Sequence, residues 1–352
     1  MKRKILVLLS FILLFFCELR SQSEKDLIID RIEFVYGLKP YIADSVWHDF
    51  DDKVFDVPLV YYTETDCYVA NPTSKFLSIF DTNLIFETPT LKIYRSNLLD
   101  SIPFHMSVGI ILGDSVSDYN YRSPFMNCSS VEITQKMIPG VSSMEEWATM
   151  VIHEYFHGFQ FKHQSFLDYF EKKIAFTSQN KLKQIYRSDA GFRQDVDKEN
   201  GVLLLALASV DSFETRMLIH SFFDLRDQRR SKSISSLDFD IASVEAMYET
   251  LEGSARYIEY SLYRKFATAK PEEQLMEYDP NFHSYAHFRD FKLQNSQWLY
   301  ETDKTTYFYA TGFNIARLLD KLGIDYKSKL FKTGEMTLEQ ILRAACCDSK
   351  TA

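Results

Sequence analysis

The chain has 352 residues, 46% hydrophobic and 25% charged, with only 11 glycines and 9 prolines. That composition excludes a disordered, collagenous or low-complexity chain, and the length allows a sizeable core without disulfide staples. The formal net charge of −9 argues against nucleic acid or an anionic membrane surface as a partner.

Residues 1–22 read as a signal peptide, because the basic Lys2, Arg3 and Lys4 precede a short apolar run from Ile5 to Phe16. The run falls short of the roughly 20 apolar residues that a membrane span needs. The expectation is an exported protein (periplasmic, cell-surface or secreted) with no transmembrane span in the mature chain. Cys17 opens the alternative of a lipid anchor, which the bulky Leu14, Phe15 and Phe16 before it disfavour. Export permits disulfides, and among the remaining cysteines Cys67 with Cys128 is the pair to test.

The next region, 23–138, mixes short apolar runs with turn residues. Strands are predicted at Val57 to Tyr62, Leu91 to Tyr94, Met106 to Leu112 and Val131 to Thr134. Pro58 inside the first points to an edge position or to a strand that starts later.

Pro139-Gly140 breaks this pattern, and from 139 to 345 the apolar period is helical. Ser143 with Glu146 three residues on forms a capping box, opening a helix through about Phe166. Further helices are predicted at about 196–209, 211–229, 240–267 and 308–322. The basic knot Arg226, Arg229, Arg230 and Lys232 reads as a solvated helix C-terminus. Residues 346–352 read as a tail. The fold class expected is α+β, a mixed strand and helix part feeding a mainly helical one.

The chemistry lies in His153-Glu154-Tyr155-Phe156-His157. Residues i and i+4 share a helix face, so both imidazoles can bind one tetrahedral zinc at about 2.0–2.1 Å. Glu154 beside the first histidine is placed to act as general base toward a water on that metal. A catalytic zinc needs a third protein ligand and an open fourth position. His163 gives the spacing HExxHxxxxxH, but Gln160 stands where that arrangement needs a turning glycine. If the helix runs on, six residues rotate His163 by about 240° from His157, leaving it on the helix surface.

A second candidate is Glu252, in Leu251-Glu252-Gly253-Ser254-Ala255-Arg256-Tyr257-Ile258-Glu259. Together with the HExxH segment, this run resembles the gluzincin, or peptidase-MA-like, branch of the zincin metallopeptidases. The resemblance covers roughly residues 105–325 and implies a zincin-like fold with one Zn2+ per chain. It makes His153, His157 and Glu252 the metal ligands and Glu154 the catalytic base. It also makes Gly253 and Ala255 the small residues packed against the HExxH helix, with Glu259 placed to hold a ligand histidine's free N–H. Glu249, Glu259 and His163 stay open as alternative ligands. Tyr309, in Tyr309-Ala310-Thr311-Gly312, is similar to a tyrosine that opens a late helix in that group and steadies an oxyanion; Tyr307 is its rival. The Asp of thermolysin-type enzymes, four residues after the third ligand, is replaced by Arg256, and an aminopeptidase Gly-x-Met-Glu-Asn run is missing.

The function expected is a zinc metallopeptidase acting on a peptide or protein substrate. In the group it resembles, an extended substrate pairs with a sheet edge, and the strand at 131–134 is the candidate edge. The alternative is an exported zincin-fold binding protein that hydrolyses nothing.

Overall fold

A computed structural model describes residues 25–112, 121–174, 179–234 and 239–347. The expected signal peptide, Cys17 and residues 348–352 lie outside them. The chain opens with helix α1 (25–45) and then builds strands β1 (Leu59–Tyr62) and β2 (Cys67–Ala70). After a one-turn helix, α2 (Ser74–Leu77), come β3 (Thr82–Glu87), β4 (Lys92–Ser96), β5 (Met106–Leu112) and β6 (Tyr121–Ser129). They form one sheet in the order β3-β4-β2-β1-β6-β5. Only the β1–β6 pair is parallel, so the sheet is mixed. Pro58 immediately precedes β1, an interior strand, so it marks a later start and not an edge.

Strand alternation divides the sheet into two faces. Leu59, Tyr61, Tyr68, Ala70, Ile93, Met126 and Cys128 join the main core, whereas Val60, Cys67, Val69 and Phe125 join Phe76 of α2 on the other side. This corrects the disulfide expectation. Cys67 pairs in register with Tyr62, and Cys128 pairs with the neighbouring Tyr61, so the two thiols face opposite sides of the sheet. Both are buried and free.

Val131 to Thr134 is helical, contrary to the strand expected there. It belongs to α3 (Val131–Met137), capped by Ser130, whose side chain accepts from the Ile133 N–H. A serine cap overrides the β-branched residues that suggested a strand. The strand in this region is β6, just upstream. The capping box at Ser143 is present and opens α4 (Met144–Lys162), which ends four residues earlier than expected. His163 breaks it with an extended backbone before α5 (Gln164–Tyr169). The helical part continues with α6 (Gln179–Ser188), α7 (Ala190–Ala208), α8 (Ser212–Ile234) and α9 (Ile241–Phe266). It closes with α10 (Glu273–Tyr278), α11 (Tyr307–Lys321) and α12 (Leu338–Cys347). The tail therefore starts later than predicted, since α12 includes Cys346 and Cys347.

The basic knot is not solvated. Arg226, Arg229 and Arg230 are buried in an ionic cluster with Glu199 of α7, Glu245 and Glu249 of α9, and Glu339 of α12. Arg226 alone meets Glu249 at 2.7 Å, Glu339 at 2.9 Å and Glu199 at 3.3 Å. Tyr307 donates to Glu245 at 2.6 Å and Thr311 to Glu249 at 2.5 Å, completing the carboxylates' hydrogen bonding. Lys232 alone of the four is exposed, paired with Asp195. Burial is tolerated because each charge is met by several oriented partners, and those partners come from three other helices.

One core joins the two parts, running from Ile28 in α1 to Leu342 in α12. Helix α4 packs against β5, β6 and α9. Helices α9 and α11 cross at Gly253 and Gly312, where a Cβ on Gly312 would sit 2.1 Å from the Glu249 carbonyl oxygen. Gly253 thus serves the approach of α11, and not that of the HExxH helix as the resemblance implied. We expect Gly312→Ala to destabilise the fold by about 3 kcal/mol, because backbone cannot yield as a side chain can. Thermal denaturation of the variant against wild type checks this.

Candidate metal centre

Helix α4 runs nearly its whole length through the core. Its capping box fixes the first turn, and Trp147 donates its indole N–H to the Ser129 carbonyl at 2.9 Å, tying the helix to the end of β6. Two turns further on, His153 and His157 stand one turn apart with ring centroids 5.0 Å from each other. Across from them, α9 presents Glu252. Its Oε2 lies 3.3 Å from His157 Nε2 and 3.7 Å from His153 Nε2. Tetrahedral coordination with bonds of about 2.0–2.1 Å places ligand atoms about 3.3–3.4 Å apart. The carboxylate therefore stands at about ligand spacing from His157 and a few tenths of an ångström further from His153. Glu154 forms a group with the two histidines in which one ligand atom of each lies within 4.8 Å of the others.

The other edges of both rings are engaged. His157 Nδ1 meets Gln160 Oε1 at 2.7 Å, and Gln160 Nε2 donates to the Leu251 carbonyl and Ser254 Oγ, each at 2.9 Å. Because that amide nitrogen faces two acceptors, its oxygen faces His157, and Nδ1 must carry the proton. Nε2 then keeps its lone pair for a metal. His153 Nδ1 lies 3.4 Å from Glu259 Oε2, and Glu259 is itself held by the Tyr263 hydroxyl at 2.6 Å. Glu252 Oε2 is buried without a hydrogen-bond donor. A buried carboxylate oxygen that faces two imidazole nitrogens without hydrogen-bond geometry to either fits a cation in their midst. The donor set, two imidazoles and a carboxylate, suits zinc.

Electrostatics follow the same geometry. Burial disfavours the His153 imidazolium, but Glu252 and Glu259 outweigh it and push the pKa up to about 10. His157 is likewise raised against burial by Glu252 and Glu154. Burial raises Glu252, yet the two histidines more than reverse it and hold the carboxyl well below its ordinary range. Glu154 moves the other way: burial raises its pKa, and the histidines only partly offset this. Without metal the site is thus a proton-loaded His–Glu cluster, and a dication would take the place of those protons.

The remaining candidates separate cleanly. Glu249 is spent on Arg226 and Thr311 and is no ligand. Glu259 supports His153 from behind. Tyr307 faces Glu245, away from the centre, whereas the Tyr309 ring lies nearly parallel to His153 at 6.1 Å and its phenol is raised by burial and by Glu252. Gln160 escaped the sequence reading as a positioning residue. Its place three residues after His157, on the same helix face, was the available signal.

His163 is half-buried among aromatic rings and does not join the centre. It stacks on Phe55 at 4.3 Å between centroids and also touches Phe159 and Phe331. Burial lowers its pKa to about 4, against about 6.5 in an unfolded chain. The folded state therefore binds fewer protons, and its stability is lost progressively as pH falls from about 6.5 to 4. His163→Phe should flatten that part of the stability profile and keep full zinc binding. Urea unfolding at neutral and acid pH, with metal analysis, checks both.

Comparison of the chain with family models, curated proteins and solved structures finds no match. No helix among the described residues is long and apolar enough to cross a membrane.

Proposed function

We propose that the chain is a zinc-dependent peptidase of gluzincin type, exported from the cell, with a zincin-like fold. The observation that carries the proposal is the convergence of His153 Nε2, His157 Nε2 and the bare Glu252 Oε2 on one point beside Glu154. Zinc held there would supply Lewis acidity toward a peptide carbonyl and lower the pKa of water toward about 7.

Glu154 has the chemistry of a proton carrier. Its burial raises the carboxyl pKa toward the working range, so the group can take a proton from water and return it to the departing amine nitrogen. Tyr309 keeps its proton because burial and its interaction with Glu252 disfavour the phenolate, so a developing oxyanion would compete with that carboxylate for the O–H. Gln160 and Glu259 hold the two rings so that neither can turn its Nε2 away.

Helix 131–137 cannot serve as the substrate edge, and β5 takes that part. It is the last strand on its side among the described residues and packs against α4. An extended peptide could pair there through main-chain hydrogen bonds. The direct test is hydrolysis of a mixed peptide library by the zinc-loaded chain, with Glu154→Gln as the control.

A further inference from the structure

Arg256 stands four residues after Glu252 and three before Glu259 on α9, which puts it on the helix stripe that faces the metal centre. Its guanidinium lies over the Tyr309 ring, 4.7 Å from the centroid, and over the Trp298 ring at 5.2 Å. Tyr309 in turn lies against His153. The cation is therefore one aromatic ring away from a candidate zinc ligand. Its Nη1 donates to the Trp298 and Leu299 carbonyls at 3.2 and 3.3 Å. Those contacts and the two rings fix the guanidinium plane.

What Arg256 lacks is a carboxylate. Arg31, Arg226, Arg229 and Arg230 each meet at least two carboxylates within 4 Å, whereas Arg256 meets none among the described residues. Its Nε and Nη2 likewise have no acceptor among those residues. Burial disfavours its charge, and Glu259, Tyr309 and Glu252 only partly compensate. An oriented, half-desolvated guanidinium with two spare donors is built to receive an oxyanion.

We propose that Arg256 makes this centre selective for substrates that carry a carboxylate next to the bond to be cut. The inference deepens the peptidase reading and rests on it for the kind of substrate. Two sources offer the same chemistry: the α-carboxylate at a peptide's C-terminus, and an Asp or Glu side chain within it.

The experiment uses the full chain, zinc-loaded, with Glu154→Gln so that bound peptides are not consumed. Three pools of N-acetylated tetrapeptides are compared by equilibrium dialysis: free acids without Asp or Glu, the same peptides amidated, and amidated peptides containing one Glu. A carboxylate-bearing pool should bind at least about tenfold tighter than the carboxylate-free amides, as a charge-assisted hydrogen bond predicts. A lead for the free acids identifies the C-terminal source, and a lead for the Glu-containing amides identifies the side-chain source. The preference should vanish when Arg256→Gln is added, a change that can keep the bonds to the Trp298 and Leu299 carbonyls. Arg256→Met serves as a second variant if the first does not fold. Equal binding by all pools, no binding by any, or a preference that survives either variant with its zinc and melting temperature intact would overturn the proposal. The peptidase reading fails separately. Its failure would appear as a zinc-loaded wild-type chain that cleaves no pool although the Arg256-dependent preference persists.

Discussion

Glu154→Gln should bind zinc like the wild type and lose peptide hydrolysis by about 10²–10⁴-fold, the usual worth of a general acid–base group. The substitution is nearly isosteric, and among the described residues Glu154 makes no ion pair that anchors the fold. What disappears is the ability to accept a proton, since an amide cannot take one from water near neutral pH. The half-buried position that raises the carboxyl pKa also limits rescue by solvent. Turnover measured beside metal content separates the two effects. Full activity in a zinc-loaded Glu154→Gln would remove Glu154 from the mechanism, and no hydrolysis by the zinc-loaded wild type would favour a binding protein.

Glu252→Ala should weaken zinc binding by more than about 100-fold, beyond the 10- to 100-fold that loss of an outer partner costs. Two imidazoles remain in that variant, but the carboxylate that faces both of them is gone. Gln160→Ala and Glu259→Gln should fall within the smaller range, because they release a ring's orientation without removing a donor. His163→Ala should have no effect on zinc, because its ring packs against Phe55 and not toward the centre. Competition with a chelator of known affinity reads all four. Equal zinc binding by the wild type and Glu252→Ala would mean that a different group completes the site.

The His153–Glu154–His157 group could be read from the sequence because helix periodicity is local. Five residues of α4 place two imidazoles and a carboxylate on adjacent positions whatever surrounds them. The pairing of Glu252 with that motif rested on the resemblance to the gluzincins, and the same resemblance misled at Gly253, which faces α11. Errors gathered where the answer depends on partners far along the chain. The charges of Arg226, Arg229 and Arg230 look solvated until Glu199, Glu245, Glu249 and Glu339 arrive from three other helices. Cys67 and Cys128 look like a pair until strand register sends them to opposite faces. Short strands such as β2 and β3 escaped for a related reason: four to six residues carry too little periodicity to stand out before their neighbours pair with them.

If His153, His157 and Glu252 form a preorganised zinc site, the metal stays through dialysis, and zinc stoichiometry reads this. Elemental analysis should find about one zinc per chain in the wild type and far less in Glu252→Ala. Binding should also release protons at neutral pH, because His153 holds one until its pKa of about 10. A wild-type chain that retains no zinc, even when the metal is added back, would mean that these three residues hold none.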